Sequence, residues 1–95
     1  MRLTPVQIAI IRDTTHRVAG VGATVSLYGS RLDDSKFGGD VDLLIESTPA
    51  VTLMQRASIK TSLEQQLNLP VDVLAASANI SSPFVNLARI QAQPL

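Results

Sequence analysis

The chain has 95 residues, 45% of them hydrophobic and 17% charged, with eight basic and eight acidic side chains. That hydrophobic share places it among folded chains, and a net charge of zero with no basic cluster argues against non-specific nucleic-acid binding, which needs many phosphate contacts. The absence of cysteine excludes disulfides and thiolate zinc sites, and the lone His16 excludes a multi-histidine metal site.

From the N-terminus, Thr4-Pro5-Val6-Gln7 reads as a helix start: Thr4 caps, Pro5 suits the first helical position and Gln7 completes a capping box. Ile8, Ile11, Thr15 and Val18 then make one helical stripe, opposite Arg12, Asp13, His16 and Arg17, and Gly20 and Gly22 end the helix. Thr24 to Tyr28 is a strand with Val25 and Leu27 on one face. Gly29 to Gly39 connects it to a second strand, Val41 to Ile45, whose Val41, Leu43 and Ile45 share a face. Ser47-Thr48-Pro49 is expected to start another helix, running to about Asn68 before Pro70, with Ile59, Leu63 and Leu67 as its apolar stripe. Val71 to Ala75 is a third strand, and Ser82-Pro83 starts a last short helix carrying Phe84, Val85, Leu87 and Ile90. The order α-β-(turn)-β-α-β-α predicts one α/β (α+β) domain over residues 1–95, a small mixed sheet with helices packed mainly on one face. With aromatics at 3%, its core must come from Leu, Val, Ile and Ala. No apolar run reaches the roughly 20 residues that span a membrane, and no signal-peptide core precedes Thr4, so a soluble, cytoplasmic protein is expected.

The chemistry concentrates between Tyr28 and Ile45. Asp40 and Asp42 are two apart on a strand and point the same way, and because Leu43 and Ile45 must face the core, the two carboxylates face away from it. Val71-Asp72-Val73-Leu74 repeats the binary pattern of Val41-Asp42-Leu43-Leu44, so if the two strands are neighbours Asp72 joins the same face. Three close carboxylates repel one another, and a divalent cation relieves that cost; an all-oxygen set suits Mg²⁺ or Mn²⁺, two of which can serve an attacking oxygen and a leaving pyrophosphate. Gly29 lets backbone approach a phosphate, exposed N–H groups and the Ser30 hydroxyl can bind phosphate oxygens, and Arg31 and Lys36 supply cations nearby. Each motif alone has a bland reading as a solvated turn; the combination points to nucleotidyl transfer.

Leu27-Tyr28-Gly29-Ser30-Arg31 followed by Gly39-Asp40-Val41-Asp42-Leu43-Leu44-Ile45 resembles the signature of the DNA polymerase β-type nucleotidyltransferases, and more narrowly the minimal nucleotidyltransferases, or MNT proteins. Leu69-Pro70-Val71-Asp72-Val73-Leu74 matches their third-strand acidic motif, so the resemblance covers nearly the whole chain. It implies that Gly29 and Ser30 hold the nucleotide phosphates, that Asp40, Asp42 and Asp72 form the catalytic, metal-binding triad for Mg²⁺, and that Asp72 assists deprotonation of the attacking hydroxyl. The loop from Ser30 to Asp40 is one residue shorter than in many members, so Arg31 and Lys36 carry over less directly as nucleotide-binding residues. MNT proteins are commonly paired with a small helical HEPN protein. In characterised pairs the HEPN protein is an RNase toxin and the MNT protein its antitoxin, in some cases by transferring AMP from ATP to a toxin tyrosine.

Three functions follow as expectations: AMP transfer to a hydroxyl of a partner protein, neutralisation of a toxin by binding alone, and small-molecule nucleotidyl transfer with the pocket completed by a partner or by a second copy in a homodimer. Leu44 and Leu74 extend the carboxylate face with apolar surface, which the last helix is expected to cover in part; apolar surface left over would mark a protein partner. Gly20-Val21-Gly22 is a helix end, since a dinucleotide-binding turn needs a strand before it and a helix after it. His16 reads as surface, and Arg56 and Lys60, four apart on a helix, as a solvated face.

Overall fold

The computed structural model describes residues 3–29, 41–77 and 82–95. Helix α1, Pro5–Ala19, opens on the capping box expected of Thr4 and Gln7: Thr4 Oγ1 accepts from the Gln7 amide at 3.1 Å, and Gln7 Oε1 from the Thr4 amide at 2.9 Å. Gly20, at φ +96°, closes the helix by donating its N–H to the His16 carbonyl at 2.9 Å. Strand β1, Thr24–Tyr28, follows and pairs antiparallel with β2, Val41–Glu46. Helix α2, Leu53–Leu67, then crosses to β3, Val71–Ala76, which lies parallel to β2, and helix α3, Pro83–Gln91, leads to a short β4, Gln93–Pro94. The sheet order is β3-β2-β1-β4, a mixed sheet as expected.

Two local expectations are corrected. Helix α2 does not start at Ser47-Thr48-Pro49, where the chain turns through a cis Thr48–Pro49 bond with Ser47 Oγ donating to the Pro49 carbonyl at 2.8 Å. It starts after Thr52, because Thr52 and Gln55 close a second capping box: Thr52 Oγ1 accepts from the Gln55 amide at 3.1 Å, and Gln55 Oε1 from the Thr52 amide at 2.8 Å. Strand β4 had no counterpart in the sequence reading. It is held by antiparallel pairing with Ser26 and Leu27 and by the Leu95 amide on the Val25 carbonyl at 3.0 Å, and its Pro94 is tolerated because the strand lies at the sheet edge.

The two faces of the sheet carry separate apolar clusters. On one face Val25, Leu27, Val41, Leu43, Ile45 and Val71 pack under Ile11 of α1 and Ile59 and Leu63 of α2. On the other, Leu44 and Ala76 pack with Val85 of α3, flanked by Tyr28, Leu74 and Ala92. Helix α3 buries only its thin side, Val85 and Ala88; Phe84, Leu87 and Ile90 remain 60%, 54% and 81% exposed. Between α1 and α2, Thr14 accepts a hydrogen bond from Gln66 at 3.0 Å, whereas the buried Thr15 hydroxyl has no partner among the described residues. No helix among the described residues is long and apolar enough to cross a membrane.

Candidate active site

Register turns the outer face of the sheet into three rows. Tyr28 stands opposite Asp42, and Asp42 opposite Asp72; the next row is Ser26, Leu44 and Leu74, and the last Thr24, Glu46 and Ala76. Residues directly opposite one another share a face, with strands about 4.8 Å apart. The contacts of α3 fall on the second and third rows. Val85 packs on Leu44 and Ala76, and Arg89 donates to a Glu46 carboxylate oxygen and to the Ser77 carbonyl at 3.0 Å. The first row keeps its carboxylates accessible: Asp42 is half-buried and Asp72 exposed.

The predicted neighbourhood of Asp42 and Asp72 is therefore present, set by the parallel β2–β3 pair. Among the described residues no third histidine, aspartate or glutamate joins them. Asp40, the expected third member, lies outside the described residues, as do Ser30, Arg31 and Lys36.

Gly29 follows β1 at φ +81°, a left-handed conformation that an L side chain rarely adopts. A Cβ built there would fall on Asp42 Oδ2, 3.2 Å from Asp42 Cγ and 3.4 Å from Asp42 Cβ. The Asp42 carboxylate thus lies directly against the turn; the conformation favours glycine, and any side chain there would also push the carboxylate aside. The two acidic side chains also act on Tyr28. Its phenol is pushed above the ordinary value of 10.0, first by burial and then by the charges of Asp42 and Asp72. Two oxygen-donor carboxylates side by side, with their negative field reaching a neighbouring phenol, fit a divalent cation such as Mg²⁺.

Tyr28 and Lys60 are the two neighbours the sequence reading did not assign to the site. Tyr28 bridges the rows: its ring packs with the apolar cluster under α3, and it stands opposite Asp42. Lys60, expected on a solvated face, is 45% exposed and also has its Nζ 3.9 Å from Asp72 Oδ1 and 2.6 Å from the Val71 carbonyl oxygen. Signals existed for both. Tyr28 shares alternation parity with the carboxylate face, and Lys60 stands one helical turn before Glu64.

A cleft of about 770 Å³ lies at the other end of the sheet, lined in part by Thr24, Glu46, Ser47, Gln55 and Arg89. Several of its polar side chains already serve one another and the backbone: Gln55 donates to the Val18 carbonyl at 3.3 Å, and Arg89 to Glu46. It sits roughly 13 Å along β1 from Tyr28, at about 3.3 Å per residue, and shares no residue with the acidic row.

No protein-family model and no curated protein matches the chain. Its structure is similar to one solved as a "putative minimal nucleotidyltransferase", with a TM-score of 0.71 and 26% identity, covering 100% of this chain and 97% of that one. It is also similar to a chain of a mutant of the toxin–antitoxin MntA-HpeT, with a TM-score of 0.63 and 18% identity. That second likeness covers 93% of this chain and 66% of the other, so the chain spans just under two thirds of that relative. The resemblance to minimal nucleotidyltransferases and the mixed α/β nucleotidyltransferase fold are thereby borne out.

Proposed function

We propose that the protein is a Mg²⁺-dependent nucleotidyltransferase that moves AMP from ATP to a hydroxyl of a partner protein, serving as antitoxin to a small helical HEPN toxin. The observation that carries the reading is the acidic row: Asp42 and Asp72 in direct register, with the Gly29 turn pressed against Asp42. The likeness to a minimal nucleotidyltransferase supports the reaction class, and the likeness to a chain of MntA-HpeT supports a partner protein.

In this reading Asp40, Asp42 and Asp72 hold the metal, which when bound would offset charge on the phosphates and on the leaving pyrophosphate. The Gly29 backbone and the Ser30 hydroxyl hold the phosphate oxygens, with Arg31 and Lys36 as nearby cations. Asp72, the more exposed of the two described carboxylates, takes the proton of the acceptor hydroxyl. The hydroxyl oxygen forms a bond to the α-phosphorus of ATP as the bond from that phosphorus to pyrophosphate breaks. The core helices and sheet contribute rigidity: Val41, Leu43 and Val71, which alternate with the carboxylates, are fully or almost fully buried, so the spacing of Asp42 and Asp72 is fixed from beneath.

The protein incubated with Mg²⁺, labelled ATP and the product of its genomic neighbour is expected to label that product, and Asp42→Asn to lower the rate by roughly a hundredfold or more, the weight of several kcal/mol of charge stabilisation. No transfer, or equal transfer by wild type and Asp42→Asn, refutes catalysis. A second reading, neutralisation by complex formation alone, draws on the exposed apolar stripe Phe84, Leu87 and Ile90 of α3. Full growth rescue by the Asp40→Asn/Asp42→Asn double variant would favour binding; lost rescue with an intact complex would favour catalysis.

A further inference from the structure

Among the described residues strand β3 is at the edge of the sheet, so half of its backbone groups have no described strand to pair with. At Val71 that edge is closed by α2. The Val71 amide donates to Glu64 Oε2 at 3.0 Å, its carbonyl accepts from Lys60 Nζ at 2.6 Å, and Lys60 and Glu64 pair with each other at 3.2 Å. Were this all, Lys60 would be a structural clasp. But the Lys60 ammonium also stands 3.9 Å from Asp72 Oδ1. Val71 faces the core and Asp72 the opposite side of the sheet, so Lys60 rounds the edge from the helix-covered face to the carboxylate face.

We propose that Lys60 is a tethered counter-ion of Asp72, a positioning residue that holds this carboxylate before a divalent cation arrives, stays beside it afterwards and so limits how tightly the cation is held. The inference rests on the metal-dependent reading above. The Val71 carbonyl and Glu64 fix the ammonium independently of Asp72, so a cation arriving at Asp72 does not send the lysine away. Its positive charge stays beside the site and opposes the incoming charge. At the same time it holds Asp72 in place through attraction rather than a close hydrogen bond. The carboxylate is left free to turn toward a metal or an acceptor hydroxyl. Lys60 and Asp72 are 45% and 57% exposed, so solvent screens the effect to a moderate size.

The test is Mn²⁺ binding, read by electron paramagnetic resonance, in wild type, Lys60→Met, Lys60→Arg, Asp72→Asn and the Lys60→Met/Asp72→Asn pair, with circular dichroism as the check on folding. Lys60→Met is expected to bind Mn²⁺ roughly fivefold more tightly, because a like charge beside a partly exposed site has been removed. Lys60→Arg, which keeps the charge, should stay within about twofold of wild type. In the Asp72→Asn background the Lys60→Met effect should shrink, because the cation is then held farther from Lys60, while some charge repulsion remains. A merely structural clasp predicts the contrary: lower stability in Lys60→Met with unchanged or weaker Mn²⁺ binding, and that result overturns the inference. Should Lys60→Met fail to fold, Lys60→Gln, which keeps a donor for the Val71 carbonyl while dropping the charge, carries the same expectation. Tighter Mn²⁺ binding in the variant without label transfer by wild type would remove the proposed transfer and leave the role of Lys60 standing. Label transfer with unaltered Mn²⁺ affinity would do the reverse, and no Mn²⁺ binding by any folded variant would overturn both.

Discussion

Gly29 makes the sharpest test of how the turn and the acidic row are built. Replacing it with alanine imposes two separable costs. The first is conformational: an L residue at φ +81° pays about 1–2 kcal/mol. The second is steric: the new methyl falls on Asp42 Oδ2, 3.2 Å from Cγ, so the Asp42 carboxylate must turn aside, and because it is the end of a flexible side chain the cost is about 1 kcal/mol, that of an off-rotamer side chain. Gly29→Ala should therefore destabilise the protein by about 2–3 kcal/mol, with about 4–8 °C of Tm lost per kcal/mol in a domain of this size. The steric part is isolated by a double-mutant cycle. Asp42→Ala removes Oδ2 and Cγ and leaves only Cβ, 3.4 Å from the new methyl, an ordinary contact. In that background Gly29→Ala should cost only the conformational part, giving a coupling of about 1 kcal/mol. Urea denaturation of the four proteins measures it. Additivity within about 0.5 kcal/mol, or a Gly29→Ala variant as stable as wild type, would refute the claim that Asp42 lies against the turn.

Tyr28 is the only tyrosine in a chain without tryptophan, so an ultraviolet titration reads its phenol alone. It should ionise above the ordinary 10.0, and Asp42→Asn or Asp72→Asn should each bring it down without restoring the ordinary value, because burial is the larger cause; insensitivity to both substitutions would contradict the row. Since the folded phenol holds its proton longer than the unfolded one, its contribution to stability is complete below about pH 10 and is lost as pH rises through the higher folded value. Glu64 behaves oppositely. Its carboxyl is held below the ordinary 4.5, first by the Val71 amide and then by Lys60, so its contribution is present above that value and lost as pH falls through the lower folded one. Denaturant midpoints of Glu64→Gln should accordingly depend less on pH on the acid side than those of wild type. Thr15→Val replaces the buried hydroxyl that lacks a partner among the described residues with a methyl of nearly the same shape, and should raise stability by about 1 kcal/mol; a loss of that size would reveal a bond the hydroxyl does make.

What the sequence made legible was whatever depends on short-range periodicity. Val25 and Leu27, Val41, Leu43 and Ile45, and Ile59 and Leu63 are buried where alternation or helical spacing puts them, and the Thr4–Gln7 box and Ser82-Pro83 mark helix starts correctly. The pairing of Asp42 with Asp72 was conditional on β2 and β3 being neighbours, which the register supplies. Two kinds of feature escaped. Thr52-Leu53-Met54-Gln55 repeats the Thr-x-x-Gln box of α1, but Ser47-Thr48-Pro49 offered an earlier and equally plausible cap, and only the chain's turn there decides between them. Strand β4 and the reach of Lys60 to Asp72 depend on which elements end up at a sheet edge, a property of the assembled sheet rather than of any window of sequence.

The same sheet face explains how so short a chain can have both an anchored helix and an open acidic row. Alternation puts Leu44 and Leu74 on the face of Asp42 and Asp72, so that face is apolar one row away from two charges. Helix α3 resolves the conflict by covering the apolar rows, and its position is held at the far end by Arg89 on Glu46 and the Ser77 carbonyl. Tyr28 occupies the boundary, with its ring among the apolar side chains and its phenol in the field of the carboxylates. A longer cover would bury Asp42 and Asp72 and raise the cost of keeping them charged; a shorter one would leave Leu44 in water. The residual apolar surface has been moved outward, to Phe84, Leu87 and Ile90 on the solvent side of α3. That stripe belongs to the helix that borders the acidic row.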